Sequence, residues 1–307
     1  MRNAFADEIT KLAGANNRVV LLSGDIGNKL FDSFKKIDER RFFNCGVAEA
    51  NMMGVAAGLA LSGLRPVVYT ITPFTTTRCF EQIRVDACYH KAPVVIVGTG
   101  SGLSYAELGP THHSLEDIAI LRTLPGMRVL APCDTTELRL ALRAALEEDG
   151  PVYIRIGKKG EPAIHAQAPA FRIGEAIIVR PGTDVALLAA GTIMAEVLKA
   201  ADMLDRQGVS VEVASFHSVK PLDRAYLDRA CARFKLIATI EEHSRIGGLG
   251  AAIAECYANR RVAPMQLSFG TDDEFMHEVG SQDYARAKYG LTAANIAGKV
   301  MAALRAP

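Results

Sequence analysis

Two doubly wound, mainly parallel three-layer α/β units are predicted from three observations. Short β-branched apolar runs alternate with helix-patterned stretches from residue 19 onward, a segment at 157–175 interrupts the alternation, and 307 residues exceed what one ordinary core fills. The first series of strands reads VVLLSGD (19–25), PVVYTI (66–71), APVVIVGTG (92–100), MRVLAP (127–132) and PVYIRIG (151–157). Such runs lack strict polar alternation, as strands covered by helices on both faces do. Between them GVAEANMMGVAAGLALSG, TTRCFEQIRVDACYHK and TTELRLALRAALEE carry helical spacing. The segment GKKGEPAIHAQAPAFRIGE has Gly, Pro and Ala without an apolar period and reads as a linker. A second series follows, with strands DVALLAAG, VSVEVASF and FKLIATIEE and helices MAEVLKAADMLDRQG, GGLGAAIAECYANR and TAANIAGKVMAALR. The expected division is 1–158, a linker at 159–174, and 175–307.

Charge and cysteine usage narrow the class. With 35 Lys+Arg against 34 Asp+Glu the net charge is +1, so no overall field recruits nucleic acid or an anionic membrane. No apolar run approaches the roughly 18–20 residues of a membrane span, and MRNAFADEITKLAGANNR lacks the apolar core of a signal peptide. A cytoplasmic enzyme acting on small molecules is expected. Cys45, Cys79, Cys88, Cys133, Cys231 and Cys256 lie far apart, with no CxxC pair and no Cys/His cluster at zinc spacing, and are expected to be buried reduced thiols.

Ligands of open α/β sheets gather outside the carboxyl ends of the strands, which directs attention to the loops there. In SGDIGNK (23–29), Asp25 either meets a ligand or serves ordinary turn chemistry, and Gly24 and Gly27 let backbone come close. Glu49 falls in the first turn of a helix crowded with Ala, Gly and Met. It either complements the helix dipole or, in a dry close-packed setting, exchanges a proton with a ligand nitrogen. The loop GTGSGLSYAELGPTHHSLEDIAI (98–120) offers His112 and His113. Adjacent residues diverge too far for a metal pair without a third ligand, so hydrogen bonding or proton transfer to a polar substrate is the functional use. The plain alternative is that Thr111 or Ser114 caps the following helix over exposed histidines. Phe74 and Arg78 in YTITPFTTTRCFEQIR are a core aromatic and a solvated charge, or an aromatic face beneath a flat heterocycle. Arg155, Lys158 and Lys159 form a basic cluster suited to a phosphate.

Taken together, GDIGN, GVAEANMMG, TPFTTTRCFEQIR, ELGPTHHSLEDIA and APCDTTEL stand in the order found in the transketolase and 1-deoxyxylulose-phosphate synthase superfamily, which the chain resembles over nearly its whole length. SFHSVKPLD and TIEEHSRIGGLGAAIAE are similar to the C-terminal domain that transketolases share with the beta subunits of 2-oxo acid dehydrogenases. The resemblance makes 1–158 a pyrimidine-binding domain and 175–307 a transketolase C-terminal domain. It implies thiamine diphosphate as cofactor, with Glu49 on the pyrimidine ring nitrogen, Phe74 against the pyrimidine face, and Arg78 and Asp25 nearby. It further implies that His112 bonds the hydroxyls of the sugar. Two departures from the family pattern bear on substrate. Leu108 stands where transketolases carry an Asp that reads a hydroxyl, and a buried leucine there favours a deoxygenated, branched or epimeric ketose. Gly100 stands where they carry a His that helps hold the sugar phosphate. Lys29 and Lys158 occupy positions near phosphate contacts, so phosphate binding is expected to persist through lysine.

The family's diphosphate and metal motif, GDG followed some thirty residues later by Asn, is not found in these residues. The resemblance therefore implies a separate alpha chain that mainly holds Mg2+ and the diphosphate, in a heterotetramer of two alpha and two beta chains. Two-carbon transfer from a ketose, a phosphate ester by family pattern, to an aldose is the expected activity. A 2-oxo acid dehydrogenase beta subunit and a noncatalytic subunit of the same fold are the competing expectations.

Overall fold

The computed structural model describes every residue except Asn28, Asn259 and Pro307. Twelve strands are described: β1 (Val19–Ser23), β2 (Phe42–Asn44), β3 (Arg65–Ile71), β4 (Val95–Thr99), β5 (Arg128–Leu130), β6 (Val152–Ile156), β7 (Ile177–Arg180), β8 (Val185–Ala190), β9 (Val211–Ser215), β10 (Ser218–Lys220), β11 (Leu236–Ser244) and β12 (Met265–Thr271). They form a seven-stranded sheet in the order β10-β5-β6-β4-β3-β1-β2 and a five-stranded sheet in the order β12-β11-β8-β9-β7. Every described pairing is parallel except β10 with β5 and β7 with β9. Two mainly parallel α/β layers are thus present, as the alternation of apolar runs predicts.

Burial explains the parallel cores. All residues of β1, β4, β6, β8 and β9 are buried, so their apolar content is used on both faces. On one side of the first sheet, helices Arg2–Ala15 and Thr135–Glu147 close a core around Phe5, Tyr69, Val97 and Leu142. The second sheet is covered on one side by Met194–Asp205 and Ala293–Arg305. A third core is common to both sheets, running from Met53 and Ile83 through Val129 to Leu188, Phe216 and Ile253. The cysteines are free thiols, but only Cys79, Cys88 and Cys133 are buried; Cys45, Cys231 and Cys256 sit half-buried at the margins of the packing.

The linker is not a clean break between the two layers. Strand β10, from the second half of the chain, pairs antiparallel with β5 at Ser218 and Leu130. The Ala131 amide donates to the His217 carbonyl at 2.7 Å, and the Gly191 amide donates to the Ala131 carbonyl at 2.9 Å. The stretch 76–91, expected as one helix, is instead a short α-helical segment, Phe80–Gln82, running into a π-helix at Ile83–Tyr89. The wider π turn takes up extra residues and is frequent near functional sites.

A buried ion pair fixes the loop after β4 against both halves. Asp117 Oδ2 accepts from Arg155 Nε at 2.8 Å and from Tyr153 Oη at 2.5 Å. Arg155 Nη2 donates to the carbonyls of Ser114 at 2.9 Å and Glu242 at 2.6 Å. Burial alone would raise the Asp117 carboxyl, but the charges of Arg155 and His243 and the hydrogen bonds from Tyr153 and Arg155 hold it below its ordinary 3.8. Asp117→Asn leaves the Arg155 charge buried without its counter-ion and is expected to cost about 3–5 kcal/mol, read from urea unfolding. Because the folded carboxyl titrates low, the wild-type advantage over this variant is complete above pH 3.8 and disappears as pH falls through the lower folded value. An equal stability of the two proteins at neutral pH would show that the pair contributes nothing.

Candidate functional site

Three parallel strands, β1, β3 and β4, deliver their loops to one edge of the first sheet. Helix Glu49–Leu61 starts beside them, and its first residue is 2% exposed. Small residues let the chain approach that carboxylate: a Cβ built on Gly24 would lie 3.5 Å from Glu49 Cγ and 3.0 Å from Thr70 Oγ1. Arg78 Nη1 donates to Glu49 Oε2 at 2.9 Å, and its guanidinium lies over the Phe74 ring at 4.2 Å. A planar, N–H-bearing group therefore already stacks on Phe74 and bonds Glu49. Phe74 is carried by the turn Thr72–Thr75, which Pro73 opens at the end of β3.

The loop after β4 closes on itself, with reciprocal backbone hydrogen bonds of 3.1 Å between Gly102 and Ser114. The lobe so formed carries Tyr105, Glu107, Leu108 and His112. The His112 ring meets Phe74 edge-on at 5.3 Å and Tyr105 at 5.9 Å, and its Nδ1 lies 2.9 Å from Thr111 Oγ1. Lys158 sits over Tyr105 at 4.3 Å and pairs with Glu107. The hydrogen bond from Lys158 holds the Glu107 carboxyl below its ordinary value. His113, by contrast, is buried, and burial holds its imidazole below the ordinary value.

Glu49, Phe74, Arg78, His112 and Lys158 thus form one continuous line of contacts. Asp25 stands at its edge: exposed, at φ +56°, it accepts from Asn44 Nδ2 at 3.0 Å, next to the Gly24 that touches Glu49. Lys29 is exposed at φ +66° and shares none of these contacts among the described residues. Tyr105 and Glu107 join the line unforeseen. Their sequence signal is an aromatic and an acid inside a glycine-rich loop, which composition alone does not distinguish from surface.

Three expectations are corrected by the geometry. Arg155 is not a phosphate ligand: it is 3% exposed, and its Nε and Nη2 are committed to Asp117, Ser114 and Glu242. Gly100 does not face a substrate; at φ +72° it is buried beneath Tyr105, and a Cβ there would overlap the tyrosine ring. The position can hold no side chain while the tyrosine covers it. Leu108 is 47% exposed rather than a buried wall. In addition, neither Thr111 nor Ser114 caps the following helix, which begins at Asp117 after Glu116 without a side-chain cap.

A cleft of about 440 Å³ opens against the lobe, lined in part by Pro110, His113, Glu116, Ile246 and Phe275. It includes neither Glu49 nor His112, and Arg78 beside them is 44% exposed. Along the line Glu49 is buried, Phe74 and His112 are half-buried, and the Arg78 end is open to solvent. Among the described residues, no group of three or more metal-ligating side chains gathers around Glu49 or His112.

Residues 1–161 match the transketolase pyrimidine binding domain, and residues 174–296 match the transketolase C-terminal domain. The chain is 38% identical over 299 residues to a 6-deoxy-6-sulfo-D-fructose transketolase subunit, SqwH, of a Clostridium species, covering 96% of this chain and 92% of that protein. It is 35% identical over 292 residues to one of the subunits of the apulose-4-phosphate transketolase of Phocaeicola vulgatus, covering 94% and 93% respectively. A solved split-gene transketolase, described as an inactive beta4 tetramer, superposes with a TM-score of 0.89 at 36% identity, over 99% of this chain and 97% of that one. With both halves matched and this identity sustained over nearly its whole length, the chain belongs to the transketolase family, whose pyrimidine-binding and C-terminal domains it carries.

Proposed function

We propose that this chain is the C-terminal-half, or beta, subunit of a split transketolase that moves a two-carbon ketol unit from a ketose, as its phosphate, to an aldose. The observation that carries the proposal is the seat around Glu49. A buried carboxylate at a helix start, a glycine wall and an aromatic face suit a flat ring whose nitrogen must meet a proton-holding group. The Arg78 guanidinium fits this seat in shape and bonding, which supports an aminopyrimidine as its natural occupant. Bound there, thiamine diphosphate supplies the electron sink that the reaction needs.

In this assignment Glu49 holds and returns a proton at the ring nitrogen, and the low-dielectric setting keeps water from competing for it. Phe74 sets the plane of the ring, and Arg78 must shift from the Glu49 carboxylate as the ring enters. His112, oriented by Thr111 and by the ring edges of Phe74 and Tyr105, directs its free nitrogen toward the sugar. Lys158, held by Glu107, supplies positive charge for a terminal phosphate, with Lys29 and Asp25 at the rim of the site.

The Arg78 end of the seat is open to solvent, and a second chain would close it. We assign the diphosphate and Mg2+ contacts to an alpha subunit, in an assembly of two alpha and two beta chains, with the joint between the two units of this chain at 159–174. Helix Glu49–Leu61 leaves Val55 41% and Leu61 58% exposed, next to Val47 at 75%, and this apolar face suits the subunit contact. The relatives' names, both transketolase subunits, weigh against the 2-oxo acid dehydrogenase alternative. No described helix is long and apolar enough to cross a membrane, which is compatible with a cytoplasmic assembly.

Three outcomes are expected. The purified chain with thiamine diphosphate and magnesium turns over no ketose, and activity appears on adding the alpha chain; full activity of the chain alone would end the split-subunit assignment. In the reconstituted complex, Glu49→Gln preserves assembly but slows exchange of the thiazolium carbon proton by about 10²–10⁴-fold, the usual weight of general acid–base assistance. A wild-type exchange rate in that variant would remove Glu49 from the chemistry. Leu108→Asp, adding a hydroxyl partner to the lobe that carries His112, shifts the ratio of kcat/KM values toward ordinary ketose phosphates; an unchanged ratio across a panel of ketoses would place position 108 away from the sugar.

A further inference from the structure

Residues 159–174 contain no helix or strand, yet part of this stretch is held firmly. The backbone amides of Ile164 and His165 donate to Asp134 Oδ2 at 2.9 and 3.0 Å. The other oxygen of Asp134 caps helix Thr135–Glu147 through the amides of Thr136 and Glu137, each at 2.9 Å. This anchor places the His165 side chain against Cys133 and Glu137. His165 Nε2 lies 2.9 Å from Glu137 Oε1 and 3.8 Å from Cys133 Sγ, and one ligand atom from each of the three residues falls within 4.8 Å of the others. Cys133 is 2% exposed and Glu137 is fully buried.

The competing bonds divide these groups into supports and free donors. Asp134 is saturated by its four amides and is unavailable to a ligand. Glu137 Oε2 accepts from the Cys133 amide at 2.7 Å and from Ser215 Oγ at 3.1 Å, which leaves Oε1, facing His165, as the free oxygen. A second, independent feature lies beside them. His217, two residues beyond Ser215, is 0% exposed and stacked on Phe171 at 4.1 Å, and neither ring nitrogen has a hydrogen-bond partner. The Glu175 backbone approaches the ring without hydrogen-bond geometry. His217 is not one of the three residues whose ligand atoms fall within 4.8 Å of one another, so it packs near the set without belonging to it.

We propose that Cys133 Sγ, Glu137 Oε1 and His165 Nε2 form a structural zinc site that staples the linker to the head of helix Thr135–Glu147. Thiolate, imidazole and carboxylate together suit zinc and exclude the oxygen-only preferences of magnesium and calcium. Bond lengths of about 2.0–2.3 Å at tetrahedral angles put neighbouring donors about 3.3–3.6 Å apart. The observed 2.9 and 3.8 Å bracket that spacing. Binding forms the Zn–S, Zn–O and Zn–N bonds and releases the thiol proton and the proton shared by His165 and Glu137; thiolate and carboxylate together balance the ion's two charges. Spacing in sequence hides the set, because two donors come from a helix start and the third from a linker joined to it only by folding.

The test uses the untagged chain, loaded with zinc or cobalt and dialysed against metal-free buffer. One equivalent of zinc per chain is expected by elemental analysis, and the cobalt form is expected to show a thiolate-to-cobalt absorption band. Cys133→Ser should abolish the band and weaken zinc binding at least about tenfold, in the range that changes around metal sites produce. Zinc should raise the Tm of the wild-type chain and leave that of the variant unchanged. Should Cys133→Ser fail to fold, His165→Gln, on the linker and hydrogen-bonding through its own amide, serves the same comparison. A wild-type chain that retains no zinc, or a cobalt spectrum without a thiolate band, would reduce the cluster to a buried His–Glu pair beside an inert thiol and overturn the proposal.

Discussion

A single buried positive charge governs how the face that carries Glu49 and His112 is held. Arg155 leaves the end of β6 with nowhere to find water, and the rest of the neighbourhood is arranged to satisfy it: the Asp117 carboxylate, the Ser114 carbonyl at the root of the His112 lobe, and the Glu242 carbonyl from β11. Those three acceptors lie at the start of the helix that follows the lobe, in the lobe's own base, and in the second unit. The lobe cannot drift without stranding a charge in a low-dielectric interior, which costs far more than a lost surface contact. Glu242 extends the restraint, since its carboxylate accepts from the Leu103 amide at 3.2 Å, from Gln282 Nε2 at 3.0 Å and from Arg286 Nε at 2.5 Å. Position of the lobe is therefore decided by the second sheet as much as by the first.

From that restraint follows the line of contacts along this face. His112 is kept between Phe74 and Tyr105, and Tyr105 in turn fills the space over Gly100 where another side chain would have projected. A tyrosine from further along the lobe plus a glycine beneath it make a different surface from a histidine in place of the glycine. This face presents the aromatic ring and Lys158 together, with Glu107 keeping the lysine in place.

What is legible in the sequence is whatever burial makes repetitive. The central strands β1, β3, β4, β5, β6, β8, β9 and β11 announce themselves because they are paired on both sides and largely covered on both faces. The strands that the apolar pattern does not mark, β2, β7, β10 and β12, are the four edges of the two sheets. An edge strand has one paired side, can be three residues long, and needs no continuous apolar run; Phe42–Asn44 and Ser218–Lys220 are strands because of their neighbours, not because of their own pattern. The site divides in the same way. Glu49, Phe74, Arg78 and His112 belong to motifs with fixed local spacing. Arg155 reads as a free cation because its partner lies 38 residues away, and Gly100 reads as a missing side chain because the tyrosine that replaces it belongs to a different part of the loop.

Strand β10 has a further consequence for how the chain can be divided. Its three residues complete the rim of a sheet built otherwise from the first half, and the core on that side is shared between both sheets. A fragment ending near residue 161 would expose the main-chain groups of β5 along a fresh edge, together with the apolar surface around Val129 and Ala131 that the second half now covers. Such an edge is a template for pairing with other chains. The complementary fragment would keep a short ribbon with no sheet to join. Topology therefore makes the two halves a single inheritable object: recombination that exchanges one of them for a distant relative's must preserve not only a surface but a strand position, which limits how far either half can evolve without the other.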